Sequence, residues 1–62
     1  MYKVQVDCGD DQWSTLESFE LVRGCLEIAE MTARSLRTAT GCPVRVVVSW
    51  YGIPDRVRLE LP

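Results

Sequence analysis

Histidine is absent from this chain of 62 residues, and its absence removes the most common catalytic side chain. Without histidine, no Ser-His-Asp or Cys-His arrangement can form within one copy of the chain, and the usual general base at neutral pH is missing. The sequence also contains no phosphate-binding glycine motif of the G-x-x-x-x-G-K-[ST] or G-x-G-x-x-G type. We therefore predict a protein that is not an enzyme and that uses no cofactor.

Long apolar runs and an excess of positive charge are missing as well. The longest apolar stretch, Val44 to Tyr51, is interrupted by Arg45 and Ser49 and is far shorter than the roughly 20 residues of a membrane span. No basic segment followed by an apolar one opens the chain, so no signal peptide is predicted. The formal net charge is -2, whereas general binders of nucleic acid or anionic membranes normally carry a basic excess. We expect a soluble, cytoplasmic protein that does not bind membranes.

The three cysteines, Cys8, Cys25 and Cys42, form neither an even set nor a close pair. Small secreted proteins that depend on disulfides normally carry an even number of cysteines. A zinc site is not expected, because the chain has no histidine and no C-x-x-C spacing. The cysteines are therefore predicted to be reduced thiols in a cytoplasmic protein.

The acidic residues Asp7, Asp10 and Asp11 surround Gly9 and are the only candidate ligands for a hard cation. Carboxylate oxygens on a flexible loop suit Ca²⁺ or Mg²⁺, but Asp and Gly are also the residues that tight turns prefer. We interpret this segment as a solvated turn and leave a cation site open as the alternative.

Alternation of apolar and polar residues predicts strands at Tyr2 to Cys8, Val44 to Tyr51 and Arg56 to Leu61. The segment Trp13 to Phe19 is ambiguous, because its aromatic and β-branched residues favour a strand whereas Ser14-Thr15-Leu16-Glu17 resembles a helix-capping box. We prefer a strand, with Leu16 facing the core. Residues 1–62 then form a single α+β domain.

A helix is predicted from Phe19 or Glu20 to about Thr40, capped by Ser18 and ended by Gly41. Its core face recurs at intervals of three and four residues: Val22, Cys25, Leu26, Ala29, Ala33, Leu36 and Thr40. The order is ββαββ, a four-stranded sheet with one helix packed on one face. The alternative is βαββ, with a longer helix that starts near Thr15.

The predicted helix has a second apolar flank beside its core face. Leu21, Gly24, Ile28 and Met31 form this flank, which makes the helix apolar over a wider arc than packing on one small sheet requires. A second copy of the chain, another protein, or a sheet that curls around the helix would cover it. We expect a homodimer or a higher homo-oligomer, with Gly24 allowing close approach.

The sheet face away from the helix is the second candidate surface. It is predicted to expose Trp13, Arg45, Val47, Tyr51, Arg56 and Arg58. Aromatic rings between arginines on an open sheet can stack and neutralise single-stranded nucleic acid, but acids share this face. The uncharged segment Val46 to Tyr51 is predicted to lie in a central strand or to be paired across a dimer interface, because an exposed edge there would pair with other chains.

Together these features favour a small protein-interaction module of the adaptor or inhibitor type that forms a homodimer. Such a dimer would cover the extra apolar flank and add to the marginal stability of so short a chain. The alternative function is weak binding of single-stranded nucleic acid by the open sheet face.

Overall fold

The computed structural model describes all 62 residues of the chain. It contains the strands β1 (Tyr2–Asp7), β2 (Trp13–Phe19), β3 (Val44–Trp50) and β4 (Ile53–Leu61), and the helix α1 (Cys25–Thr40). The order ββαββ confirms the predicted α+β fold, and the alternative βαββ arrangement is wrong because Trp13–Phe19 is a strand.

The strands form one sheet in the order β2-β1-β3-β4, in which all neighbours are antiparallel. Because β2 and β3 both run antiparallel to β1, they are parallel to each other, and α1 connects them across β1. The prediction of a central position for β3 is confirmed, since β1 and β4 pair with its two sides.

The core lies between α1 and the two central strands. Its fully or almost fully buried members are Val4 and Val6 of β1, Val44 and Val46 of β3, and Ala29 and Ala33 of α1. Larger side chains are only partly buried around it: Tyr2, Phe19, Leu26, Leu36, Leu59 and Leu61. The two alanines place the helix backbone close to the sheet, and the core is consequently small.

The start of the helix differs from the prediction. β2 stays paired with β1 as far as Phe19, opposite Tyr2, so Ser18 lies within a strand and does not cap the helix. Residues 20–24 form turns that carry the chain from the sheet to the helix layer, and α1 begins at Cys25. Val22, predicted to be core, precedes the helix and is exposed. The end is as predicted, with Gly41 in a left-handed conformation and its N–H donating to Arg37 O.

A β-bulge in β2 overturns the prediction that Leu16 faces the core. Val4 lies opposite Glu17 whereas Gln5 lies opposite Thr15, so Leu16 has no partner in β1. Such an extra residue reverses the alternation of the side chains beyond it. Leu16 is 52% exposed, and Glu17 lies opposite the buried Val4.

A second irregularity changes the faces of β4. Val46 lies opposite Leu59 and Val47 lies opposite Val57, so Arg58 is left without a partner. Val57 therefore shares the open face with Val47, and Arg56 lies opposite Val48 on the helix side. This assignment is the reverse of the predicted one.

Truncation of the core should be costly because so few side chains fill it. We expect Val46→Ala to lower the free energy of unfolding by about 2 kcal/mol, from lost apolar burial and the cavity left behind. Val57→Ala removes the same atoms from a half-exposed position and should cost less than half as much. Urea denaturation of both variants measures the difference, and equal losses would contradict this description of the core.

Gly24 should be required for its backbone conformation. It precedes the helix with φ of 88°, in the left-handed region, and no atom lies within 4 Å of the position that a Cβ would take. We expect Gly24→Ala to destabilise the fold by roughly 1 kcal/mol, and Gly24→Asn to cost less because Asn tolerates this region. Thermal unfolding of the two variants tests this ranking, and an alanine variant as stable as the parent protein would contradict it.

Candidate interaction surfaces

One flank of α1 is uncharged and exposed. We call it the helix flank and define it by Ile28, Met31, Thr32, Ser35 and Ala39, which line a shallow surface depression with Leu36. Ile28 is 50% exposed and Met31 is 68% exposed. Of the residues predicted for this surface, the structure therefore brings these two together on the helix.

A hydrogen bond on the opposite side of α1 shows which edge of the sheet the helix flank faces. Arg37 Nε donates a hydrogen bond of 3.1 Å to the carbonyl oxygen of Pro62, directly after β4. Ile28 and Arg37 are nine residues apart, which at 100° per residue amounts to two and a half turns. With the core face of α1 directed at the sheet, the two side chains therefore lie on opposite flanks of the helix. The charged flank with Glu30 and Arg37 therefore faces β4, and the helix flank faces β2.

Leu21 and Gly24 occupy a different place from the one predicted. Both precede α1, in the turn segment 20–24, so Gly24 does not provide a small contact site within the helix. The sequence signal for this difference was the glycine itself, which favours a left-handed turn before a helix as readily as a close helix contact.

The open sheet face carries a chain of side-chain contacts across three strands. Gln5 Nε2 donates to Thr15 Oγ1 at 3.1 Å, and Arg45 Nε donates to Gln5 Oε1 at 2.8 Å. The guanidinium carbon of Arg45 lies 4.1 Å from the centre of the Trp13 ring. We call these four residues the sheet-face network. It holds Trp13 and Arg45 to each other within one copy of the chain.

The other predicted residues of this face do not join the sheet-face network. Val47, expected to be exposed, lies on this face opposite Lys3 and Val57 but is only 2% exposed. Tyr51 is 100% exposed but lies in the turn between β3 and β4. Arg56 lies on the helix side and Arg58 is the unpaired residue of the irregularity in β4. The array of rings and arginines predicted for nucleic acid is thus dispersed, and nucleic-acid binding stays a prediction that no feature here favours.

An exposed apolar group at the end of the β3–β4 hairpin escaped the sequence analysis. Trp50, Tyr51 and Ile53 are all at least half exposed, and Met1, whose backbone pairs with Ser49, lies beside them. Alternation with Val44, Val46 and Val48 predicts that Trp50 faces the core side of β3. Its exposure arises because β3 extends past the start of β1, and strand lengths were the missing information.

The acidic residues between β1 and β2 form a local turn, and no two of the cysteines are bonded to each other. Asp7 Oδ1 accepts a hydrogen bond of 2.8 Å from the Gly9 N–H, and Asp10 and Asp11 adopt positive φ angles. No three acidic or cysteine side chains come together in a group that would hold a metal ion. The three cysteines are free thiols. The segment from Asp7 to Asp11 therefore forms a tight turn, which is the interpretation favoured from the sequence.

The most apolar cavity is small. Trp13, Pro43, Val44, Leu61 and Pro62 line it with Glu60, and its volume is about 170 Å³. Pockets for small molecules and cofactors typically have at least about 300 Å³. The larger depressions, such as that on the helix flank, are open to solvent, and these surfaces suit contact with a protein better than enclosure of a ligand.

In comparisons with known proteins, the chain matches no family model, no curated protein and no solved structure. Its one helix lacks the length and hydrophobicity needed to cross a membrane. The functional interpretation therefore relies on the surfaces of this chain alone.

The sheet-face network should contribute to stability. We expect Arg45→Met to lower the free energy of unfolding by about 1 to 2 kcal/mol, through loss of the cation–π contact and of the hydrogen bond to Gln5. Arg58→Met makes the same chemical change at an exposed position and should alter it by no more than about 0.5 kcal/mol. Urea denaturation compares the two, and a similar effect of both variants would contradict a specific role for Arg45.

Proposed function

We propose that the chain is a non-enzymatic protein-interaction module, of the adaptor or inhibitor type, that forms a homodimer through the helix flank. The observation that carries this proposal is the exposure of Ile28 and Met31 on a side of α1 that bears no charge. Large apolar side chains grouped on an uncharged surface are typical of protein interfaces.

The small core gives the association an energetic reason. A domain of about 60 residues buries only about 60% of the surface of its unfolded chain, and here the largest fully buried side chains are valines. Covering the remaining exposed half of a large apolar side chain contributes on the order of 1 kcal/mol. A dimer covers Ile28 and Met31 twice, once in each copy, and so adds apolar burial that the single chain lacks.

The non-enzymatic part of the proposal is supported by how the reactive side chains are distributed. The acids of the β1–β2 turn serve the turn itself, and the thiols of Cys8, Cys25 and Cys42 lie in separate segments of the fold. With no histidine in the chain, no thiol or hydroxyl can be activated by an imidazole of the same copy.

Substitution of the helix flank tests the proposed homodimer. Light scattering coupled to size exclusion, over a range of protein concentrations, should give a mass near twice 7.0 kDa for the parent protein. Ile28→Asp should give a folded monomer, because an isologous interface would bury two unpaired carboxylates. The far-ultraviolet circular dichroism spectrum verifies that the variant is folded.

Ile53→Asp is the matched control, because it makes the same substitution at an isoleucine of equal exposure, 51% against 50%, at the start of β4 and outside the helix flank. It should retain the mass of the parent protein. A parent protein of 7.0 kDa at every concentration would contradict the proposed homodimer. A dimer that persists in Ile28→Asp would exclude the helix flank as its interface.

A further inference from the structure

We propose that Cys8 and Cys42 form a reversible disulfide bond that joins the end of β1 to the segment between α1 and β3. The oxidant is a small-molecule disulfide such as oxidised glutathione, and the free thiols described above are the reduced state of the pair. The bond lies within one copy of the chain, so it goes beyond the proposed homodimer and does not require it.

Backbone hydrogen bonds bring the two cysteines opposite each other. The ladder between β1 and β3 continues past its last paired residues, because the Asp7 N–H donates to Pro43 O at 2.9 Å. The next residue outward is Cys8 on one chain segment and Cys42 on the other. The Cys8 N–H donates to Gln12 O, in step with the pairing of β1 and β2. Cys42 precedes a proline, which favours an extended backbone there as well.

This position in the ladder is of the kind at which side chains lie closest. In an antiparallel ladder, pairs that exchange backbone hydrogen bonds alternate with pairs that do not, and the latter have Cα atoms about 4.5 Å apart. Met1 and Ser49 exchange both bonds at the other end of the ladder, so odd-numbered residues bond to β3. Cys8 and Cys42 therefore occupy a non-hydrogen-bonded position, whose spacing falls within the Cα distances of about 4.4 to 6.8 Å that disulfides span.

Both thiols lie on the helix side of the sheet. Cys8 is two residues from the buried Val6, so alternation directs its side chain towards α1. Its Sγ lies 3.6 Å from the Oγ of Ser14, which pairs with Val6. Cys42 is two residues from the buried Val44 and packs against the core. The two side chains consequently point the same way, as a disulfide requires.

The thiols are held in their reduced positions by weak interactions. Cys8 Sγ donates to Val6 O at 3.8 Å, and Cys42 Sγ donates to Thr40 O at 3.6 Å. A thiol is a weak donor, so rotation of either side chain towards the other loses little hydrogen bonding. Cys8 is exposed whereas Cys42 is half-buried, and a dissolved oxidant therefore reaches Cys8 first.

The oxidation takes place by two thiol–disulfide exchanges. The Cys8 thiolate attacks one sulfur of oxidised glutathione, forms a mixed disulfide and releases one molecule of reduced glutathione. The Cys42 thiolate then attacks the Cys8 sulfur and releases the second molecule. The two electrons pass from the protein thiols to glutathione, and the two protons are taken up by the released thiolates. An excess of reduced glutathione reverses both steps.

The disulfide stabilises a chain whose core is small. It closes a loop that contains β2 and all of α1, and such a loop restricts the unfolded chain. Domains of this size commonly depend on covalent links because their cores supply little stability. The oxidised protein should melt on the order of 10 °C above the reduced protein.

Peptide mapping of the parent protein tests the bond. Incubation with a mixture of reduced and oxidised glutathione should lower the mass of the chain by two hydrogen atoms and leave one thiol that iodoacetamide alkylates. Trypsin cleaves after lysine and arginine and therefore places the three cysteines in separate peptides, 4–23, 24–34 and 38–45. The expected product is peptide 4–23 linked to peptide 38–45, and a reducing agent should separate the two.

Cys25→Ser is the matched control. Cys25 begins α1 and lies at the opposite end of a helix about 24 Å long, so this variant should form the disulfide and show the same rise in melting temperature as the parent protein. Cys8→Ser and Cys42→Ser should form no disulfide within one copy and should melt at the same temperature with and without the oxidant.

The outcomes are distinguishable by mass. Linkage of peptide 4–23 to peptide 38–45, in the parent protein and in Cys25→Ser, supports the bond. Three thiols that still react with iodoacetamide, glutathione that remains attached to Cys8, or a linked peptide that contains Cys25 overturns it. A disulfide between two copies, seen as a doubled mass under non-reducing conditions, overturns it as well.

Discussion

The close contact between α1 and the two central strands is the constraint on which the rest of the structure depends. Ala29 and Ala33 lie against the valines of β1 and β3 with no solvent exposure. Small side chains at this contact bring the helix close to the sheet, and there is no space between the layers for a bulky residue. The larger apolar side chains are therefore displaced to the rim of the core, where they are only partly covered.

The periodic features of the fold could be predicted from the sequence because each results from many residues. Alternation identified β1 and β3, and the spacing of three and four residues identified most of α1. Gly41 marked the helix end because only a residue that accepts a left-handed conformation closes a helix in this way. In each of these cases the local preference and the packing require the same conformation.

The irregularities could not be predicted, and they decide which residues reach the surface. A bulge inserts one residue and has no composition of its own, so neither Leu16 nor Arg58 was distinguishable from an ordinary strand residue. Each inserted residue nevertheless reversed the face of its neighbours, moving Arg56 to the helix side and Val57 to the open face. The candidate residues differ in the same way: the positions of Ile28 and Met31 depend on helical spacing alone, whereas those of the sheet-face residues depend on register.

The position of β1 in the sheet explains why one side of the molecule is left uncovered. Since α1 connects β2 to β3 across β1, it lies over the two middle strands, and its two flanks face the two edges. Arg37 closes the side towards β4 by binding the end of that strand, but no side chain of the helix flank makes a comparable polar contact with β2. The wide apolar arc of the helix, which the sequence already contained, therefore becomes exposed surface on the β2 side. By mass action, any partner that covered this side would stabilise the fold of so small a protein as well.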